Sequence, residues 1–312
     1  MSKLWSEFRL RKEDFSSVGQ GLTRPECVLC DEDGIWVSDS KTGGVARVEA
    51  DGPHPLGEGL RVSNGFSRRP DGSFVIVGLE DHTVSEISLD GVTKNLLDQI
   101  EGKSLGVVNY PCLDAQGRIW VSVMTHRERW CEAFNTGPEG SIFLIENGQA
   151  RVVADGLHMT NEVKVSPDGK YLYASESLGC RIVRFPILED SSLGARELVG
   201  PESLGYGAFP DGFTFDSQGN IWVTLVARNA IVVIDQEGEL HTLFEEVNEV
   251  ALKNMVDAIA AGNATREMMA ACYGPTLKLP SSLAFGGPDK RTVYIGSVAG
   301  TSLMSFRSPV AG

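Results

Sequence analysis

Short runs of β-branched and aromatic residues, broken by turns rich in Asp and Gly, recur along almost the whole chain. The clearest copy is DSQGNIWV at 216–223. The same pattern reads DEDGIWV at 31–37, DGSFVIV at 71–77, DAQGRIWV at 114–121, DGKYLY at 168–173 and DKRTVYI at 289–295. A turn of this kind feeding a run of strand formers marks a tight connection between paired strands. Six copies, spaced by roughly forty to seventy residues, predict a repeat architecture, and strand-rich repeats of that length predict propeller blades. The expected fold is therefore all-β, a six-bladed β-propeller forming one domain over residues 1–312.

The pattern places blade one at 26–56, with strands at 26–29, 35–39, 45–49 and 54–56. Blade two runs from 64 to about 97, and blade three from 109, with a long segment 124–140 between its second and third strands. Blade four covers 161–199, blade five 211–244, and blade six about 279–306. Residues 5–10, WSEFRL, alternate apolar and polar as a half-buried strand does. They predict a strand that pairs with the last blade and closes the ring, removing its open edge.

Segment 246–273 breaks the pattern. Leu252, Met255, Val256 and Ile259 recur there at three- and four-residue spacing, which predicts an amphipathic helix. Gly262 ends it, and Asn263 or Thr265 caps a second helix through Met269. In a propeller, connections from an outer strand to the next inner strand lie on the face where inner strands begin. This insert and the 124–140 segment are expected to overhang that face and wall a pocket. The alternative use of the insert is a contact in a homodimer.

A constant offset exposes candidate chemistry. Eight positions before Gly34, Gly72, Gly117, Gly169, Gly219 and Asp289 stand Glu26, Asn64, Asn109, Asn161, Asp211 and Ser281. All are polar, although each adjoins an apolar strand. Inner strands line a propeller's channel, so equivalent positions form a ring around the axis. The ring offers oxygen donors and amides without thiolate or imidazole, which suits a calcium-type ion rather than zinc. Asn or Asp also begins strands simply to cap turns; that reading accounts less well for two carboxylates and amides at one offset.

Composition adds limits. The chain has 312 residues, 42% of them hydrophobic and 22% charged, as an ordinary globular protein does. Its net charge of −14 disfavours nucleic acid and anionic membranes as partners. No apolar run is long enough to span a bilayer, and MSKLWSEFRLRKEDF lacks a secretion signal's apolar core, so a cytoplasmic location is the default expectation. Cys27 and Cys30 mimic a redox or zinc pair. On an extended strand, residues three apart face opposite ways, so packing is the expected role. Serine-hydrolase chemistry is not expected, and a His-Glu-x-x-His motif is missing from the sequence, which argues against zinc-protease chemistry.

The stretches PECVLCDEDGIWVSD, MTNEVKVSPDGKYLYASES, FPDGFTFDSQGNIWVT and SSLAFGGPDKRTVYIGS resemble the SMP-30/gluconolactonase/LRE-like family of six-bladed propellers. The resemblance runs from about 22 to 306, apart from the helical insert. It implies one divalent cation, commonly calcium (with Zn2+, Mg2+ and Mn2+ as alternatives), held at the positions matching Glu26, Asn161 and Asp211. It also implies that Asp211 acts as general base and that Asn109 contacts the substrate beside the metal. Sugar-lactone members carry an Arg shortly before that Asn and an Asp just after it; here Val107 and Tyr110 stand instead. The expected activity is thus a metal-dependent lactonase, an ester-bond hydrolase, acting on a small-molecule lactone less polar than an aldonolactone. His126, in the overhanging segment, and Tyr110 are further substrate-contact candidates. Glu162 and Glu176 lie near the mouth if the strands are placed correctly. The competing readings are an esterase or phosphotriesterase on the same ring, and a binding propeller whose ion is structural.

Overall fold

The computed structural model describes residues 2–312, with side chains from Leu4 onward. Its strands form six four-stranded antiparallel sheets, five of them built from consecutive strands. Blade one comprises Val28–Asp31, Gly34–Asp39, Gly44–Glu49 and Gly52–Leu56. The inner strands of blades two to six are Ser63–Arg68, Val107–Leu113, Thr160–Val165, Pro210–Phe215 and Pro280–Gly286. These starts agree with the expected blade boundaries to within about two residues.

The repeated Asp explains why the turns recur. In each of the six copies its Oδ1 accepts the backbone N–H two residues on: Asp31 from Asp33, Asp71 from Ser73, Asp114 from Gln116, Asp168 from Lys170, Asp216 from Gln218 and Asp289 from Arg291, at 2.9–3.2 Å. A short side chain thus closes each turn locally. In two blades the other oxygen reaches a core indole as well. Asp114 accepts Trp120 Nε1 at 2.9 Å, and Asp216 accepts Trp222 Nε1 at 3.0 Å. Turn and strand core are therefore specified by one side chain.

Ring closure differs from expectation. The strand pairing with the last blade is Ser16–Val18, matched to Leu303–Arg307 with Ser16 opposite Ser305. Residues 5–10 are not a strand: helix α1 spans Ser2–Glu7. Leu4, Trp5 and Phe8 sit at helical spacing as well as partly alternating, and packing decides between the two. Trp5 is fully buried, edge-on to Trp222 with ring centroids 5.3 Å apart. Leu10 N–H then bonds Leu243 O at 2.8 Å. The N-terminal segment closes the ring as expected, but with a later strand.

The insert folds as read, with helix α2 at Glu249–Ala260 and helix α3 at Arg266–Ala271. Leu252 and Met255 are buried, and Thr265 Oγ1 caps α3 by accepting Met268 N–H. Gly262 leaves the helix with φ of +68°, a left-handed turn that glycine adopts without strain. Asn229 pins the insert: its amide donates to Cys272 O at 2.7 Å and accepts from Gly274 and Leu279 N–H. The 124–140 segment carries a 3-10 turn, Trp130–Asn135. Asn135 and Ala264 exchange two hydrogen bonds, 2.9 and 2.8 Å, tying the two overhanging segments together. All six cysteines are free thiols, and no helix among the described residues is long and apolar enough to cross a membrane.

Candidate metal centre

Five of the inner strands share an irregularity at one place. Register shifts fall between Ser63 and Phe66, Val108 and Pro111, Thr160 and Val163, Pro210 and Phe213, and Pro280 and Leu283. These β-bulges contain Asn64, Asn109, Asn161, Asp211 and Ser281. A bulge bends the strand and re-aims its side chains, so polar groups turn to the axis while their apolar neighbours stay between blades. Hydroxyls on the second strands take up N–H groups at or beside this level. Cys27 N–H donates to Ser38 Oγ, Tyr110 N–H to Ser122 Oγ and Gly212 N–H to Thr224 Oγ1, all at 3.0–3.1 Å.

The result is a cavity of about 400 Å3 at the mouth of the channel. Glu26, Asn64, Asn109, Asn161 and Asp211 line it, whereas Ser281 does not. The Ser281 hydroxyl donates instead to Glu26 O at 2.7 Å, holding that strand start in place. Asn64 is also spent structurally. Its amide donates to Glu26 Oε1 (3.3 Å) and Asn109 O (3.1 Å), and its Oδ1 accepts Arg24 Nη2 (2.8 Å). Leu79, Met124, Trp130, Phe134, Phe209 and Met269 form much of the wall. Trp130, Phe134 and Met269 come from the two overhanging segments.

Four oxygens in this cavity are buried without a hydrogen-bond partner: Glu26 Oε2, Asn109 Oδ1, Asn161 Oδ1 and Asp211 Oδ1. Leaving buried acceptors unpaired is costly, by about 1–3 kcal/mol each and more for charged groups. Hard oxygens from two carboxylates and two amides fit a divalent cation of the calcium or magnesium type. The exposed trio Glu49, Asp51 and His54 on blade one is of another kind, an ion-pair cluster in which His54 Nε2 lies 2.9 Å from Asp51 Oδ1.

The electrostatics show the same tension. With no cation present, burial pushes the Glu26 carboxyl from 4.5 to about 7, against the pull of Arg24. Asp211 is pushed well above the usual carboxylate value, first by burial and then by the charges of Glu26 and Glu162. Two acids that would rather be neutral are two acids that a cation would stabilise as anions.

Four other expected residues lie elsewhere. Tyr110 does not line the cavity. The bulge at 109–110 turns its ring into the core, where Lys164 Nζ bonds its hydroxyl at 3.1 Å. His126 is exposed outside the cavity, its Nε2 3.1 Å from Ser141 Oγ. Glu176 is buried in ion pairs with Arg181 and Arg196. Glu162 lies deeper in the channel, with Oε2 3.1 Å from Lys164 Nζ and Oε1 unpartnered. Val107 is buried among the residues of the overhang.

Sequence reasoning missed Arg24, Arg266 and Glu80, all of which line the cavity. The run Arg-Pro-Glu carried a usable signal for the first. Pro25 has φ locked near −65° and sits in a tight turn in which Glu26 N–H bonds Arg24 O at 2.8 Å. Glu80 and Arg266 reach the cavity only through loop placement.

The family profile described as SMP-30/Gluconolactonase/LRE-like region matches residues 25–252. A 6-deoxy-6-sulfogluconolactonase of Pseudomonas putida is 25% identical over 261 residues, 83% of this chain and 74% of its own length. Among solved structures, a gluconolactonase from Xanthomonas campestris superposes with a TM-score of 0.70 at 20% identity, covering 95% of this chain and 89% of that one. A calcium-binding regucalcin from Agrobacterium tumefaciens gives 0.62 at 16% identity, covering 95% and 91%. At these identities the two structures speak for the propeller fold alone.

Proposed function

The chain belongs to the SMP-30/gluconolactonase/LRE-like family, and from that premise we propose that it is a lactonase, opening a cyclic ester at the channel mouth with the help of a calcium ion. The observation carrying this reading is the set of four unpartnered buried oxygens on Glu26, Asn109, Asn161 and Asp211. Family relatives such as the sulfogluconolactonase of P. putida are named for the same reaction class.

Glu26, Asn161 and Asp211 would hold the cation, with Asn109 beside it. The ion would supply a Lewis acid for the ester carbonyl and acidify the water next to it. Asp211 takes the proton of the attacking water at its carboxylate. A carboxylate beside a cation is a weak base by itself, so this step depends on the water being acidified as well. The same proton then passes to the ring oxygen as the acyl C–O bond breaks, leaving a hydroxy acid. Asn109 orients the substrate: its Nδ2 now points at Met124 Sδ, 3.3 Å away, a weak acceptor that a substrate oxygen readily replaces. The apolar part of the wall suits a lactone with fewer hydroxyls than an aldonolactone.

Chelation followed by calcium repletion tests the reading directly, together with Asp211→Asn. Lactone opening is expected to vanish with chelator, return with calcium, and fall by about a hundredfold or more in the variant. Undiminished turnover in both cases refutes it.

A further inference from the structure

Within the lactonase reading, we propose that this cavity is built for a lactone carrying an anionic substituent, a carboxylate or sulfonate, received by Arg24 and Arg266. Arg24 lines the cavity and spends only part of its fork on protein, donating from Nη1 to Ser63 O (3.2 Å) and from Nη2 to Asn64 Oδ1 (2.8 Å). Its other N–H groups have no partner among the described residues. No carboxylate of those residues lies within ion-pair distance of it either. Neutral acceptors thus orient the guanidinium, while Glu26 and Asp211 attract it from beyond ion-pair distance. A planar fork of donors matches the paired oxygens of a carboxylate or sulfonate.

Arg266, the first residue of α3, lines the same cavity from the overhang and is near enough for the two guanidiniums to repel. It too has no hydrogen bond or ion pair among the described residues. Two unpaired cations facing one mostly apolar cavity gain most from an anion placed between them. Arg24 also holds φ of 52° immediately before a proline, a conformation few non-glycine residues adopt.

Charge balance agrees. Around the axis Glu26, Asp211 and Glu162 oppose Arg24 and Lys164, a net of one negative charge. A divalent cation turns this into one positive charge before Arg266 is counted. Glu80 is the one further carboxylate lining the cavity; like Arg266 it is exposed, so water screens both.

The test uses lactones matched in ring and size, one neutral and one bearing a carboxylate or sulfonate, with the wild type, Arg24→Gln and Arg266→Ala. The wild type is expected to favour the anionic member in kcat/KM by about tenfold or more, as charge-assisted hydrogen bonds do. Each substitution should shrink that ratio, and salt should weaken the Arg266 share most, since that side chain is exposed. Calorimetry of matched ring-opened acids, one with a second anionic group and one without, reads the subsite without turnover. Arg-dependent preference for the dianion while no lactone is opened would support the subsite and remove the lactonase reading. Efficient opening of both lactones with one ratio in all three proteins overturns the subsite and leaves the lactonase reading standing. Equal loss of both substrates in Arg24→Gln, with the ratio intact in Arg266→Ala, also overturns it and makes Arg24 a support for Asn64.

Discussion

Stripping the cation and raising the pH should destabilise this protein, and the buried Glu26 carboxyl sets the amount. In the metal-free fold burial lifts this carboxyl from 4.5 to about 7. Between those values the unfolded chain has lost the proton and the folded one keeps it, so unfolding free energy falls as pH rises. The stabilisation is fully present below about 4.5 and is lost by the time pH has passed through about 7. At about 1.4 kcal/mol per pKa unit the shift is worth roughly 3 kcal/mol. Unfolding entropy of about 2 cal/mol/K per residue converts that, for this chain length, into a melting shift of about 5 °C. Asp211, displaced in the same direction, adds to the fall. A cation reverses the trend, because it competes with protons for the same carboxylates; at a hundred times its Kd it returns about 2.7 kcal/mol. The assay is scanning calorimetry in chelator from pH 5 to 8, comparing the wild type with Glu26→Gln, which is neutral throughout. His54 is displaced upward too, by its hydrogen bond with Asp51, but it is exposed and common to both proteins. Asp289, held down at about 2 by Arg307, titrates below it. The wild-type melting point should drop with pH relative to the variant by about the amount given. Parallel curves across the window would refute the assignment of Glu26 as a buried acid in need of a cation.

Other perturbations have equally direct readouts. In Gly212→Ala the new methyl would sit 2.4 Å from Ser281 O and 2.6 Å from Glu162 Oε1. The bulge carrying Asp211 must shift, with calcium affinity by calorimetry falling about tenfold or more and stability by about 1–3 kcal/mol. Asp216→Ala strips acceptors from Gln218 N–H, Asn220 N–H and Trp222 Nε1 at once; denaturant melts should show a loss of about 4 kcal/mol. Asn135→Ala cuts the reciprocal bonds to Ala264. Hydrogen exchange should rise at 130–135 and 264–271 and KM should rise several-fold, while the global melting point moves little.

Blades were legible because their signal is local. An Asp closing a turn onto the N–H two residues ahead needs nothing beyond its own few neighbours, so six such turns announce six hairpins wherever they end up. The ring positions were legible for a related reason. A fixed offset from turn to inner-strand start survives any arrangement in which the blades are equivalent, and Glu26, Asn109, Asn161 and Asp211 do face one cavity. Helices α2 and α3 declared themselves by apolar spacing and by the caps at Gly262 and Thr265.

What local pattern could not supply was direction and partnership. Residues 5–10 suit a strand or a helix by pattern, and only the slot that Trp5 fills against Trp222 draws their first turn into helix α1, which ends at Glu7. The true closing strand, Ser16–Val18, is too short to show alternation. Tyr110 and Asn109 are neighbours in sequence, yet the bulge sends one into the core and the other to the channel. Asn64 and Ser281 share the ring offset with the open donors, but neighbouring groups consume their hydrogen bonds. Arg24 and Arg266 lie some 240 positions apart and meet only because the chain's ends close one ring and the insert folds back across it. Periodicity and turns depend on a few adjacent residues and can be read from a string. The aim of a side chain, and what is left for it to bond, depend on packing between segments distant in sequence, which the tertiary structure alone decides.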